Sequence, residues 1–340
     1  MQRIDFGPPR NPALNLAWEE HLLTRLAETG DLLLFYVNDE AVVIGRNQNP
    51  WAEVSAESLT QMGLPLVRRM SGGGAVYQDH GNLNYSILQL STTPGRPDAK
   101  TILQPVVRAL RTLGLPARLS ARNAIFVGRY KVSGTAQFMT SGKILTHGTL
   151  LVDARLDRLS RCLRPDTDTL AHSRGRPSVR SPVANLCTYR PEITRATLRR
   201  QLHRAFAETY GTVPVCALDP AGKQAARLLA DRKYRTWQWN IGRSPQFTIE
   251  WKGDFRGEAC GCRMTVQRGV IAGVAMDAPA TRQDQLQRLA ERWLVGHRLG
   301  DQNAPGDSIP ATPTTDAASM AFRRWLQAHL PKPLPIPAGA

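Results

Sequence analysis

The chain has 340 residues, with 44 Lys and Arg against 28 Asp and Glu, and a formal net charge of +16. Apolar residues make up 42% and charged residues 21%, which excludes a disordered or collagen-like polypeptide and leaves enough chain for two domains of roughly 100–200 residues each. No apolar run approaches the roughly 18 residues needed to cross a bilayer, and Met1 to Pro9 lack a signal peptide's apolar segment, so a soluble cytoplasmic protein is expected.

In chain order, Leu16, Leu22, Leu23 and Leu26 recur among polar residues and predict an amphipathic helix over 15–27. The apolar runs 32–37 and 41–44 flank Asn38-Asp39-Glu40 and predict a β-hairpin. A strand follows at 83–90, a helix over 101–113 from the spacing of Ile102, Val106, Leu110 and Leu113, and a strand at 144–152. The pattern changes around Trp237 to Pro245. Beyond it, short strands at 247–251, 263–267 and 270–276 and a helix at 283–297 predict a smaller sheet. Residues 300–315, rich in Pro, Asp and Thr, read as a mobile linker, 317–330 as a last helix and 331–340 as a frayed tail. The expected fold is α+β (mixed α/β), with a larger domain over 1–245, a small α+β domain over 246–340 and no internal repeat.

Five cysteines (Cys162, Cys187, Cys216, Cys260 and Cys262) form an odd set without a secretory signal, so reduced thiols are expected. Cys260-Gly261-Cys262 lacks zinc-ligand spacing. The positive charge calls for an anionic partner: nucleic acid, a membrane surface, or acidic proteins and phosphates. No block of five or six basic residues occurs, and the aromatics, 6% of the chain, do not interleave with basic residues as a base-stacking platform requires.

The strongest chemical signal is Arg68-Arg69-Met70-Ser71-Gly72-Gly73-Gly74-Ala75-Val76-Tyr77-Gln78-Asp79. Three consecutive glycines weaken a strand, but they let a ligand approach the backbone and let successive N–H groups face an anion. Two arginines beside them could grip phosphate oxygens in bidentate fashion. The pattern is neither a Rossmann fingerprint nor a P-loop. A second cluster is Lys131-Val132-Ser133-Gly134-Thr135-Ala136, where small residues could seat an ammonium beside a carbonyl or phosphate. The third is His147-Gly148-Thr149-Leu150-Leu151, whose histidine is either a core residue or a ligand contact.

In order and spacing these clusters resemble the lipoate–protein ligase A family, within the biotin/lipoate ligase and octanoyltransferase superfamily. Its R-R-x-S-G-G-G-A-V-x-x-D motif is matched by Arg68 to Asp79, followed by Gly81-Asn82. K-x-S-G-x-A is matched by Lys131 to Ala136, and H-G-T-L-L by His147 to Leu151. Gly45 to Trp51, Ser178 to Ser181 and Trp237 to Pro245 extend the similarity over nearly the whole chain. The resemblance implies a class II synthetase/biotin-ligase-like catalytic domain with a central mixed sheet, and an accessory domain that swings about residues 242–246.

It further implies an enzyme that uses ATP and Mg²⁺ to convert lipoate to lipoyl-AMP, then passes the lipoyl group to a lysine. The acceptor would be a lipoyl domain of a 2-oxoacid dehydrogenase, the glycine-cleavage H protein or another lipoate-binding protein. Lys131 is the implied catalytic residue. The implied ATP and lipoyl-AMP contacts are Arg69, Ser71, Gly72, Gly73, Gly74, Ala75, Val76, Tyr77, Asp79, Asn82, Asn123, Lys131, Ser133, Ala136, His147, Gly148, Thr149 and Arg180. Ser71, Gly74, Lys131 and His147 would form the lipoate pocket, and 174–181 a loop closing over the adenylate. No nucleic-acid or membrane partner is implied, and a monomer is expected.

One departure stands out. Where the family carries Asn-Asp before its second motif, this chain has Asn123-Ala124, which removes a candidate Mg²⁺ ligand and leaves Asp79 to be tested. The rival readings are an ATP-independent octanoyltransferase drawing on acyl carrier protein, with Cys187 as the thiol to watch, and a catalytically impaired lipoate- or nucleic-acid-binding protein.

Overall fold

Residues 1–8, 11–91, 98–165, 170–300 and 317–337 are described in the computed structural model of the chain. Pro12 presets the first turn of α1 (Pro12–Thr24), and the Asn11 side chain caps it by accepting from Ala13 N at 2.9 Å. Around this helix the larger unit runs β1 (Gln2–Asp5), α2 (Leu26–Thr29), β2 (Leu32–Tyr36), β3 (Ala41–Ile44), α3 (Ala56–Met62), β4 (Leu66–Arg68), β5 (Val76–Gln78) and β6 (Asn82–Leu90). It continues through α4 (Ala99–Thr112), β7 (Ala117–Leu119), β8 (Ile125–Val127), β9 (Tyr130–Thr140), β10 (Lys143–Leu151) and α5 (Leu156–Cys162). Next come β11 (Leu170–Ser173), α6 (Arg195–Tyr210), β12 (Val215–Cys216), α7 (Pro220–Leu229) and α8 (Trp237–Asn240). The chain then forms β13 (Phe247–Phe255), β14 (Glu258–Gln267), β15 (Val270–Asp277), α9 (Gln283–Leu294) and α10 (Ala317–His329).

The central mixed sheet has the order β12-β1-β2-β6-β10-β9-β8-β7. β1 is parallel to β2 and β12, and the other pairs are antiparallel. On one face Leu103, Val106 and Leu110 of α4 and Leu198, Leu202 and Phe206 of α6 pack on Leu33, Phe35 and Ile87. On the other, Leu16 and Leu23 of α1 and Ala226 of α7 pack on Leu32, Leu34 and Leu145. Each fully buried leucine contributes about 2 kcal/mol of apolar transfer. Of the long central strands, β9 carries the second motif and β10 the third.

The predicted helices over 15–27, 101–113, 283–297 and 317–330 form as α1, α4, α9 and α10, and the strands at 83–90 and 144–152 as β6 and β10. The predicted hairpin does not form. β2 joins the central sheet, whereas β3 lies between β4 and β5 in a separate three-stranded sheet. Every residue of both strands is buried, so their apolar runs carry no alternation that would select a neighbour.

The expected division at 245 is crossed by β11, which pairs with β13 in the four-stranded sheet β11-β13-β14-β15. Val42, Ile44, Trp51 and Tyr77 share one apolar core with Phe247, Ile249 and Met264. Of the expected linker only residue 300 is described; 301–316 lie outside the described residues. Residues 331–337 do not fray: Pro335 O accepts from Leu66 N at 2.7 Å, Trp51 Nε1 donates to Lys332 O at 3.4 Å, and Leu334 and Ile336 pack on the core. Residues 338–340 lie outside the described residues.

Candidate active site

The triple-glycine stretch is the loop between β4 and β5, and the two arginines before it point to opposite sides, as successive residues of extended chain must. Arg68 is fully buried. Its guanidinium donates to the carbonyls of Gly45, Arg46, Gln48, Trp239 and Asn240, locking β4 to α8. Burial, with the Arg243 and Arg69 charges nearby, pulls its pKa down to about 9. It is a structural clamp rather than a phosphate grip. Arg69 borders the cavity but donates to the loop itself, to Ser71 Oγ at 3.0 Å, Gly72 O at 2.6 Å and Gly74 O at 2.9 Å, and to Val43 O of β3 at 3.2 Å. Four of its five N–H donors are thus engaged within the protein, and its charge stands at the cavity wall. Burial lowers its pKa to about 10.

Beneath the loop lies a cavity of about 730 Å³, within the range of about 300–1,000 Å³ typical of small-molecule sites. Lys131 reaches it through a β-bulge. Phe126 of β8 pairs with Lys131 and Ile125 with Ser133, so β9 carries an extra residue there, and the bulge turns Lys131 toward the face of Gly134 and Ala136. A β-carbon at Gly134 would stand 3.3 Å from Lys131 Nζ, so the ammonium lies over a residue that must be small. The Lys131 backbone is pinned to the opposing segment, its N–H donating to Pro182 O at 2.9 Å. Burial, then the Arg69 charge, lowers its pKa, and no carboxylate pairs with it among the described residues. Arg122 and Arg176 also border the cavity, whose wall contains no Asp or Glu among the described residues.

His147 stands farther along the same face of β10. Its Nδ1 donates to Glu19 of α1 at 3.0 Å, and the Ser71 hydroxyl, which already accepts from Arg69, lies 2.6 Å from Nε2. Glu19 also accepts from Tyr36 OH at 2.8 Å and from the Ser86 hydroxyl. Burial alone would raise the Glu19 pKa, but the adjacent His147 and the Ser86 and Tyr36 hydroxyls bring it below its ordinary value. The result is a fully partnered Ser71–His147–Glu19 line, with His147 bordering the cavity and Ser71 buried behind it.

The 174–181 segment covers the mouth. Ser178 Oγ accepts from Ala75 N at 2.8 Å and from Gln48 Nε2 at 3.1 Å, and Ser178 N donates to Glu53 at 3.1 Å. The segment rests on bare backbone: a β-carbon at Gly74 would meet Ser178 Oγ at 2.7 Å. Arg174 N donates to Gln246 O at 3.0 Å, so the segment is also tied to the C-terminal sheet.

Of the residues predicted from sequence, Arg69, Gly73, Gly74, Ala75, Val76, Lys131, Ala136, His147, Gly148 and Thr149 border this cavity. Tyr77, Ser133 and Arg180 border an adjoining cavity of about 280 Å³ that shares Lys131 and Gly134. Ser71, Gly72 and Asn82 border neither cavity, and Ser71 and Asn82 are fully buried. Asn123 sits in a turn at φ 60° while its neighbours Arg122 and Ala124 face the cavity. Asp79 does not fit a metal. Its oxygens accept from Gly81 N at 2.8 Å, Arg155 N at 2.8 Å and Tyr77 OH at 3.2 Å, and no cluster of three His, Cys, Asp or Glu side chains suits a metal among the described residues. Sequence reasoning missed Glu19, Tyr36 and Asn84; it included Arg176 only within the 174–181 loop, and it gave Arg122, beside Asn123, no role. Cys187 does not border the cavity; burial and Asp153, whose carboxylate accepts from its thiol at 3.4 Å, push its pKa up.

The profile of the family described as "Lipoyl protein ligase A/B catalytic domain" matches residues 11–207. The lipoate–protein ligase LplJ of Bacillus subtilis is 36% identical over 271 residues, 79% of this chain and 82% of that protein. A lipoate–protein ligase A structure bound with ATP superposes at TM-score 0.62 with 32% identity, over 70% of this chain and 98% of that one. A putative T. acidophilum lipoate protein ligase with bound lipoic acid gives 0.60 and 30%, over 70% and 98%. An archaeal bipartite ligase described with its E2 lipoyl domain, also from Thermoplasma acidophilum, gives 0.61 and 30%, over 70% and 95%.

Proposed function

The chain belongs to the lipoyl protein ligase A/B catalytic-domain family, and from that premise we propose that it activates lipoate with ATP and transfers the lipoyl group to a lysine of a lipoyl domain. In the first half-reaction a lipoate carboxylate oxygen attacks the α-phosphorus of ATP, and the bond to pyrophosphate breaks. In the second, an acceptor lysine ε-amine attacks the acyl carbon, forms the amide and expels AMP. Relatives described with bound ATP, with lipoic acid and with an E2 lipoyl domain support each reactant in turn. Lipoyl domains of 2-oxoacid dehydrogenases and the glycine-cleavage H protein, acting in the cytoplasm, are the proposed acceptors.

The observation that carries this reading is Lys131. Its ammonium is partly buried, has no carboxylate partner among the described residues and shares its cavity with Arg69, Arg122 and Arg176. A cation held in a low-dielectric wall stabilises negative charge that develops on the carboxylate, the α-phosphate and later the acyl oxygen. Segment 174–181 lies across the adenylate seat and limits the access of water that would hydrolyse the mixed anhydride. The cavity wall lends no carboxylate to Mg²⁺, since Ala124 stands there and Asp79 is committed elsewhere; these residues do not fit a protein-bound metal. Lipoate-dependent pyrophosphate release from ATP tests the reading: it should occur in the wild type and fall at least about 100-fold in Lys131→Ala.

A further inference from the structure

Four buried amides run in a line from α1 to the cavity wall. Asn15, Asn38, Gln78 and Asn84 are 0%, 1%, 6% and 1% exposed. A backbone carbonyl sets the polarity of the line. Val37 O can only accept, so the Asn15 atom 3.2 Å from it is Nδ2. That same Nδ2 donates to Asn38 Oδ1 at 2.7 Å, Asn38 Nδ2 donates to Gln78 Oε1, and Gln78 Nε2 donates to Asn84 Oδ1 at 3.0 Å. Each bond polarises the next. Asn84 Nδ2, last in line, is a buried donor with no acceptor. Turning its amide over would set the Asn84 nitrogen against the Gln78 amide nitrogen, donor against donor, so the orphan cannot be cured from within. Buried donors left without a partner are rare in folded proteins.

Asn84 borders the 730 Å³ cavity. In the sheet it lies opposite Thr149, which lies opposite Gly134, the residue over which the Lys131 ammonium rests. Donor and cation thus share one level of the sheet, about 10 Å apart by two strand spacings, and their side chains reach into the same space. We propose that Asn84 Nδ2 donates to a carboxyl oxygen of the acyl substrate on the side away from Lys131, a substrate-positioning contact that holds the carboxylate for attack. The proposal rests on the reading that this cavity takes lipoate with its carboxylate at Lys131.

Asn84→Asp tests it. Asp keeps an oxygen for Gln78 but replaces the donor with a carboxylate oxygen, so a role confined to the relay leaves ligand binding intact. By calorimetry, lipoate affinity should fall about 10-fold or more, the worth of a charge-assisted bond, while ATP affinity stays within about 3-fold. Should the buried Asp prevent folding, Asn84→Ser, neutral and too short to span the gap, is measured in the same way. Unchanged lipoate affinity in the variant, beside a wild type that releases pyrophosphate, overturns the Asn84 contact alone, as does a loss confined to ATP. A wild type that neither binds lipoate nor releases pyrophosphate overturns the enzymatic reading and this assignment with it.

Discussion

Glu19→Gln probes the buried line behind the cavity. Glu19 is 1% exposed and accepts from His147 Nδ1 at 3.0 Å, from Tyr36 OH at 2.8 Å and from the Ser86 hydroxyl. Glutamine has the same shape and keeps both hydroxyl bonds through Oε1. It turns the other oxygen into an NH₂ group, so two donors meet at His147. The ring must then either lean on Oε1, 3.1 Å away and already taken by the two hydroxyls, or move its proton to Nε2, where it disturbs the contact with Ser71. Losing one buried charge-assisted bond costs about 2 kcal/mol. Urea unfolding at pH 7 should register that loss, together with a raised KM for lipoate. The sign with pH follows from Glu19's depressed folded pKa. Its stabilisation is complete above the carboxyl's ordinary value near about 4.3 and is lost as pH falls through the lower folded value, so the gap between wild type and variant closes below about pH 4. Equal stability at pH 7, or a gap that persists unchanged to about pH 3, would refute an ionised Glu19 as the anchor of His147.

Gly74→Ala should lift the 174–181 segment, because its methyl group would meet Ser178 Oγ at 2.7 Å; a roughly 10-fold higher KM for ATP and faster proteolysis within the segment are expected. Arg68→Met should destabilise the fold by about 3 kcal/mol or more, since it removes the donor to five carbonyls, of which Gly45 O alone keeps another, Gln48 N at 3.2 Å. Its KM for ATP, measured on the folded fraction, should stay near wild type, and a selective loss of ATP binding would restore Arg68 as a phosphate ligand. Cys187→Ala should keep full ligase activity, because the thiol's pKa is raised and it lies away from the cavity; loss of acyl transfer would contradict this.

The site was legible where its chemistry is local in the chain. The three glycines, Lys131 with its small neighbours and His147 in an apolar strand each break a pattern within a few residues, and the cavity gathers all three. What stayed hidden depends on contacts distant in sequence. Glu19 looks like one polar residue of an amphipathic helix; only the packing of α1 on β10 brings it to His147, 128 positions away. Arg68 and Arg69 are equivalent as letters, yet strand alternation sends one into a carbonyl cage and the other to the cavity. The amide relay draws on α1, the turn after β2, β5 and β6, and no spacing rule links those residues. The same limit explains the unformed hairpin, as fully buried strands do not encode their neighbours. It also explains the tail, whose anchoring depends on the Leu66 N–H at the start of β4.

The central claim is tested most directly by the mass of an apo lipoyl domain incubated with this protein, lipoate and ATP. The account predicts a gain of one lipoyl group on a single lysine, dependent on ATP and absent with Lys131→Ala. A gain obtained without ATP from octanoyl–acyl carrier protein, or no gain from lipoate and ATP with a competent acceptor, would contradict it.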